Sequence, residues 1–443
     1  MDRRGLLIGG ALTAAAVTLD GPAASASPAV EEFPEHRTAA QLRADSAYAA
    51  RQVEALTSSD DRVLDRLGAR QETATGGLPF DRYRPAGSGA EVLVARGQIV
   101  VGPGSRGTPQ ARLVHSAKGP AQLAREVARL RATGVDAGMN LVVPLGYVVK
   151  AQDYPWVTQG PGPAPATGPA RVRVALVDTG VSGKPRTDGW LDGIAVGAAN
   201  TDPLDVVAPA GRLDWGSGHG TFTAGIVRRV APQCEIVMYR FTRTDGLGTD
   251  RDVADLLLRA AADGHRAGVR TIINASLGTP AVDGAPPVAM RAALDHISAN
   301  YPDVLVVAAA GNMGSAEAIY PAAFGGVVAV GALMDDLSPA PFSSRGPWLT
   351  CSTVGVGVVS TFVPGLSPPE PDPSHPDQLF GTDAWAMWSG TSFSAPQISG
   401  AVARLCAANP ELKTRVALDR LLAGRPQLPG YGRVLRVLPG TPV

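Results

Sequence analysis

Val172-Arg173-Val174-Ala175-Leu176-Val177-Asp178-Thr179-Gly180 is an apolar run, broken only by Arg173, that stops on a carboxylate and a glycine. Strands covered on both faces in a parallel sheet read as near-continuous apolar runs, whereas half-buried strands alternate. Runs of the same kind recur at Glu235–Tyr239, Thr271–Ser276, Val304–Ala310 and Val327–Ala332. Between them, apolar spacing predicts helices at Thr221–Val230, Asp252–Ala267 and Val288–Asn300. Strands and helices in alternation give an α/β fold, a doubly wound and mostly parallel sheet flanked by helices.

In such sheets functional residues gather at the carboxyl ends of strands. Asp178 stands at one such end, where a carboxylate is costly unless it finds a partner; it either caps the next turn or holds another side chain. His219 lies in Gly216-Ser217-Gly218-His219-Gly220-Thr221, between glycines that let backbone and ring approach something else closely; the other histidines have no comparable setting. Asn312 follows Val307-Ala308-Ala309-Ala310-Gly311, where its amide could serve a turn or donate to a developing oxyanion. Ser392 sits in Gly390-Thr391-Ser392-Phe393-Ser394-Ala395-Pro396, ahead of a segment that is small and apolar on nearly every face. Such a segment predicts a buried helix, with Ser392 in its first turn among unpaired backbone N–H groups. On its own, a serine there is most often a cap.

Asp178-Thr179-Gly180, Gly218-His219-Gly220-Thr221, Gly311-Asn312 and Gly390-Thr391-Ser392 together resemble, in that order, the motifs of the subtilisin-type serine proteases, over residues 171 to 438. The resemblance implies a serine endopeptidase working through an acyl-enzyme. Ser392 would be the nucleophile, His219 the general base and then acid, and Asp178 the group that orients the imidazole. The Asn312 side chain and the Ser392 backbone N–H would form the oxyanion hole. Substrate would add as a strand to Ser276, Leu277 and Gly278 and to Gly246, Leu247 and Gly248. Glu317 and Ile319 would border the first specificity pocket, Glu317 favouring basic side chains. The resemblance requires no cofactor and assigns no metal ligand. Calcium, bound by some members, has no identifiable site, because no inserted loop separates Val227 from Val230-Ala231-Pro232. Thr223 replaces a usually apolar residue on the His219 helix. Two other readings stay open: a catalytically silent binding module on a protease fold, and a dedicated peptide-processing enzyme or transpeptidase. An esterase of the α/β-hydrolase type is disfavoured, since Ser392 lacks the G-x-S-x-G elbow.

The 443 residues carry 40 basic and 40 acidic side chains, which leaves no nucleic-acid footprint and no polybasic membrane patch. Cys234, Cys351 and Cys406 lack C-x-x-C spacing, so they form either one disulfide and a thiol or three buried thiols. Arg3-Arg4, the uncharged run Gly5–Leu19 and Ala24-Ser25-Ala26 predict a signal peptide over residues 1–26, of twin-arginine type, and a secreted mature protein with no membrane span. Residues 38–67 read as one or two surface-lying helices. A small β/α pattern follows: strand Glu91–Val101, helix Pro120–Ala132, strand Asn140–Lys150. Within it Gly102-Pro103-Gly104-Ser105-Arg106-Gly107 matches a dinucleotide fingerprint by letters, but Pro103 and Pro109 suit a loop better than a helix start. Gln159–Pro169 is a linker by composition. By position and pattern residues 27–150 resemble that family's pro-region, the alternative being a retained accessory domain, and residues 151–443 would be the catalytic domain. A pro-region would act as an intramolecular inhibitor. The remaining expected partners are protein or peptide substrates, and the protein is expected to be a monomer.

Overall fold

The computed structural model describes residues 33, 35–57, 77–85, 91–104, 109–145, 154–168, 171–194, 198–202, 211–214, 216–243, 246–367 and 377–443. The predicted signal peptide, Asp245 and parts of the 38–67, 140–150 and 363–378 segments lie outside them.

The first described helix is α1 (Ala39–Thr57), and a small antiparallel sheet follows: β1 (Phe80–Tyr83), β2 (Val92–Val101), β3 (Arg112–His115) and, after α2 (Pro120–Ala132), β4 (Ala137–Pro144). Pro120 at the first helical position starts α2, where a missing N–H costs nothing. Of Gly102–Gly107 only Gly102, Pro103 and Gly104 are among the described residues, the others lying outside them; the next described element after β2 is a strand, β3. β5 (Trp156–Thr158) lies beyond and pairs antiparallel with Trp385–Met387.

The sequence's apolar runs become β6 (Val172–Asp178), β7 (Glu235–Arg240), β9 (Arg270–Ala275), β10 (Leu305–Ala309) and β11 (Val328–Leu333). Between β6 and β7 runs α3 (His219–Val230); between β7 and β9 run β8 (Leu247–Thr249) and α4 (Asp250–Arg266); α5 (Val288–Asn300) precedes β10. After β11 come β12 (Cys351–Val354), β13 (Val358–Thr361), β14 (Trp385–Trp388), α6 (Thr391–Ala408), α7 (Thr414–Leu422), β15 (Gln427–Leu428) and β16 (Gly432–Val434). The main sheet runs β15-β16-β12-β11-β10-β9-β6-β7, and only β15 is antiparallel to its neighbour. β10 and β11 are buried at every residue, so both faces are covered, as unbroken apolar runs require. α3 packs on α6 and α4 on α5, supplying that cover. The sequence reading did not include β12 or α7, because their short, mixed stretches carry no clear period.

α4 begins with a capping box in which Thr249 and Asp252 satisfy each other's backbone N–H groups. α6 holds Pro396 inside it, which removes the N–H that would bond the carbonyl of Ser392. The hydroxyl of Ser276 donates to that carbonyl instead, at 2.8 Å. The cysteines are three buried free thiols, with Cys234 and Cys351 pushed up to about 12 by burial. By its internal contacts, Glu32–Val443 is grouped as one compact unit. No helix among the described residues is long and apolar enough to cross a membrane.

Candidate active site

β6 delivers Asp178 to the carboxyl edge of the sheet, fully buried. Its Oδ1 accepts the Thr179 N–H at 2.7 Å and stands 2.6 Å from Nδ1 of His219. Its Oδ2 lies 3.1 Å from the Thr223 hydroxyl, one turn along α3 from the imidazole. The departure at residue 223 therefore places a donor on the carboxylate that holds His219.

The glycines around His219 have specific causes. Gly218 has φ of 82°, and a Cβ there would come within 2.6 Å of the Phe362 ring. A Cβ on Gly220 would lie 2.0 Å from the carbonyl of Gly180, so the Asp178 and His219 segments meet backbone to backbone. Thr179 and Asp202 lock that contact: the Thr179 hydroxyl accepts the Gly220 N–H and donates to Asp202, which also accepts the Gly218 N–H. No spacing signal in the sequence pointed to Asp202, since it reaches the site only through the chain's return. The imidazole is walled by Trp388 and Phe393, with ring centroids 5.7 and 5.3 Å away.

Ser392 is the second residue of α6, directly before Phe393, and it is nearly buried. Its Oγ lies 3.3 Å from the Ser276 carbonyl, so Ser276 and Ser392 bond each other in both directions. Asn312 is oriented by Thr391. Its Oδ1 accepts both the backbone N–H and the hydroxyl of Thr391, at 2.9 and 2.8 Å. A backbone N–H can only donate, which fixes the amide's orientation and leaves Nδ2 as the group presented elsewhere. Asn312 and Ser392 line one pocket, together with Leu277, Gly278, Glu317 and Ile319. The structure thus brings Asn312, Ser392, Leu277, Gly278, Glu317 and Ile319 into one pocket and Asp178 onto His219, while Phe393, next to Ser392, packs on the imidazole; Thr391, Asp202 and the aromatic walls are additions.

The pocket has a further wall from the small N-terminal sheet, through Glu91, Leu93, Val142 and Pro144. β4 pairs antiparallel with β8, matching Val142 to Thr249, Val143 to Gly248 and Pro144 to Leu247. The next residue, Leu145, bridges Leu277. Both segments read as substrate strands are therefore paired with the chain's own N-terminal part.

Among the described residues, no group of three or more His, Cys, Asp or Glu side chains is placed to hold a metal ion.

A doubly wound sheet carrying a buried acid–imidazole pair, and a serine at a helix start sharing a pocket with an oriented amide, have the parts that one large class of hydrolases uses. The sequence model of the subtilase family matches residues 170–423, and the chain belongs to that family as a subtilisin-like serine peptidase. Subtilisin BL of Lederbergia lenta is 31% identical over 274 residues, covering 59% of this chain and 87% of that protein. A thermophilic serine proteinase of Bacillus sp. (strain AK1) is 29% identical over 299 residues, covering 64% and 63% respectively. Among solved structures, a lanthipeptide protease superposes with a TM-score of 0.45 at 22% identity, over 61% of this chain and 86% of its own. The prenylagaramide maturation protease PagA gives 0.42 at 24% identity, over 59% and 85%.

Proposed function

We propose that the protein is a secreted serine endopeptidase in which Ser392 attacks the peptide carbonyl. His219 takes the serine's proton and returns it to the leaving amine, while Asp178 holds the imidazole in its tautomer and stabilises its charged form. The Asn312 Nδ2 and the Ser392 N–H receive the oxyanion, each such donor contributing ~3 kcal/mol to the transition state. The observation that carries this reading is the buried 2.6 Å contact between Asp178 and His219, at the edge where Asn312 and Ser392 share a pocket. Fluorophosphonate labelling tests it: the wild type gains one adduct by intact mass, and Ser392→Ala gains none. A folded protein that stays unlabelled once β4 no longer covers the cleft would instead support a binding module.

Two finer parts belong to the same proposal. Within residues 27–150, the part that carries β1 to β4 acts as a pro-region, which the pairing of β4 with β8 and of Leu145 with Leu277 supports, since a strand bound there competes with a substrate strand. Glu317, an exposed carboxylate on the pocket wall, gives a preference for basic side chains. Profiling cleavage of a peptide library checks this: Glu317→Gln loses the basic preference. A wild type that prefers bulky apolar residues as strongly as the variant does would end that idea.

A further inference from the structure

Helix α1 lies far outside the family match, yet its side chains end beside the nucleophile segment. Leu56 and Ala49 are fully buried in a cluster with Trp190, Phe342, Trp385 and Met387. Tyr48 stacks on Trp156 with ring centroids 4.5 Å apart. These contacts fasten the helix to the peptidase, whereas its polar side chains reach further.

Gln52 is 1% exposed and uses both ends of its amide. Nε2 donates to the carbonyls of Tyr154 and Met387, at 3.1 and 3.3 Å. Oε1 accepts the hydroxyl of Ser389 at 2.7 Å, and the same Ser389 oxygen accepts the N–H of Gly357 at 2.9 Å. A second link starts ahead of the helix. Arg37, ion-paired with the buried Asp45, donates to the Thr441 hydroxyl at 2.7 Å. Thr441 in turn donates to the carbonyl of Gly357 at 2.9 Å. Both polar faces of the Gly357 peptide region are thus held through residues 35–57. Two residues earlier, Gly355 accepts the N–H of Gly390 at 2.8 Å. Met387, Ser389 and Gly390 lead straight into Thr391 and Ser392.

We propose that Gln52 is a positioning residue for the nucleophile, fixing through Ser389 the backbone that enters α6, so that α1 is a working part of the peptidase. The proposal rests on the reading of Ser392 as the nucleophile. Its physical basis is that a buried amide with every partner satisfied defines one backbone position, and that its loss strands the Ser389 hydroxyl and two carbonyls. Displacements well under an ångström at a nucleophile reduce rate without changing what binds.

The test uses the full chain and separates the maximal labelling rate of a fluorophosphonate from its binding constant. Gln52→Met keeps the packing volume and removes the hydrogen bonds; Ser389→Ala removes the other partner. Each is expected to lower the maximal rate roughly 10-fold with the binding constant unchanged. The double variant should be no slower than either single one, as a shared link requires. Gln52→Met that is folded by its melting curve and labels at the wild-type rate overturns the proposal. If the wild type does not label, the assay is repeated with β4 loosened from the cleft by Leu145→Asp; should that folded variant also stay unlabelled while a subtilisin control labels, the peptidase reading fails. The link is then read from amide hydrogen exchange over residues 389–393. Faster exchange in Gln52→Met upholds it, and unchanged exchange overturns it.

Discussion

Helix α1 and strand β4 both come from chain ahead of the linker, and both are buried against the peptidase, but only β4 adds a main-chain ladder to its side-chain burial. α1 is held by side chains: Tyr48, Ala49 and Leu56 fill an apolar cluster, and Gln52 and Arg37 satisfy specific polar groups. β4 is held by a main-chain ladder to β8, of a kind any extended peptide could form, to which Val142 and Val143 add burial in the main core cluster. Side-chain fit of the first kind resembles the inside of a domain. A ladder of the second kind resembles a bound ligand. The difference teaches that position in the chain does not decide membership of the catalytic body.

The comparison can be broken at either end. Leu56→Ala leaves a cavity in the α1 cluster and is expected to destabilise the protein by ~2–5 kcal/mol in denaturant unfolding. It should not raise peptidase activity in the folded protein. If it did, α1 would be a cover like β4, and the distinction would collapse.

Asp250 probes the junction beneath β4, where β8 runs into α4. Its carboxylate accepts the backbone N–H groups of Ala289 and Met290 at the start of α5, and burial lifts its pKa from 3.8 to about 6. A folded pKa raised above the unfolded value contributes stability that is complete below pH 3.8 and is lost as pH rises through about 6. Between pH 4 and 7 the wild type should therefore lose up to ~3 kcal/mol relative to Asp250→Asn. Parallel stability curves for the two proteins would mean that Asp250 titrates normally.

The smallest effect sharpens the other end. Leu145→Asp puts a carboxylate at the bridge to Leu277, where burial without a partner is costly, and should loosen β4 from the cleft. Hydrolysis of a short peptide by the full chain is expected to rise roughly 10-fold, since ~1.4 kcal/mol of lost self-binding suffices. An unchanged rate would argue that β4 does not occupy the substrate path.

Much of the site was legible in the sequence because its chemistry depends on local pattern. Asp178 follows an apolar strand, His219 stands between two glycines, and Ser392 opens an apolar helix. The structure gives those glycines a reason, since a Cβ on Gly220 would strike the Gly180 carbonyl. Asp202, Thr391 and Gln52 were not legible, because each acts on a residue distant in the chain and none carries a periodic signal of its own. The 38–67 stretch shows the same limit. Its helical spacing announces α1, but spacing says which face is buried and not against what.

The sequence by itself determined the class of fold and the four catalytic motifs, because apolar runs, helix periods and glycine-flanked polar residues are local consequences of burial and backbone geometry. Only the tertiary structure decided that Thr223 reaches the Asp178 carboxylate, that β4 and Leu145 pair with β8 and Leu277, and that Gln52 of α1 reaches Ser389. Those facts depend on which surfaces meet when the chain closes, and closure joins residues as far apart as Gln52 and Ser389, 337 positions, that no local pattern relates.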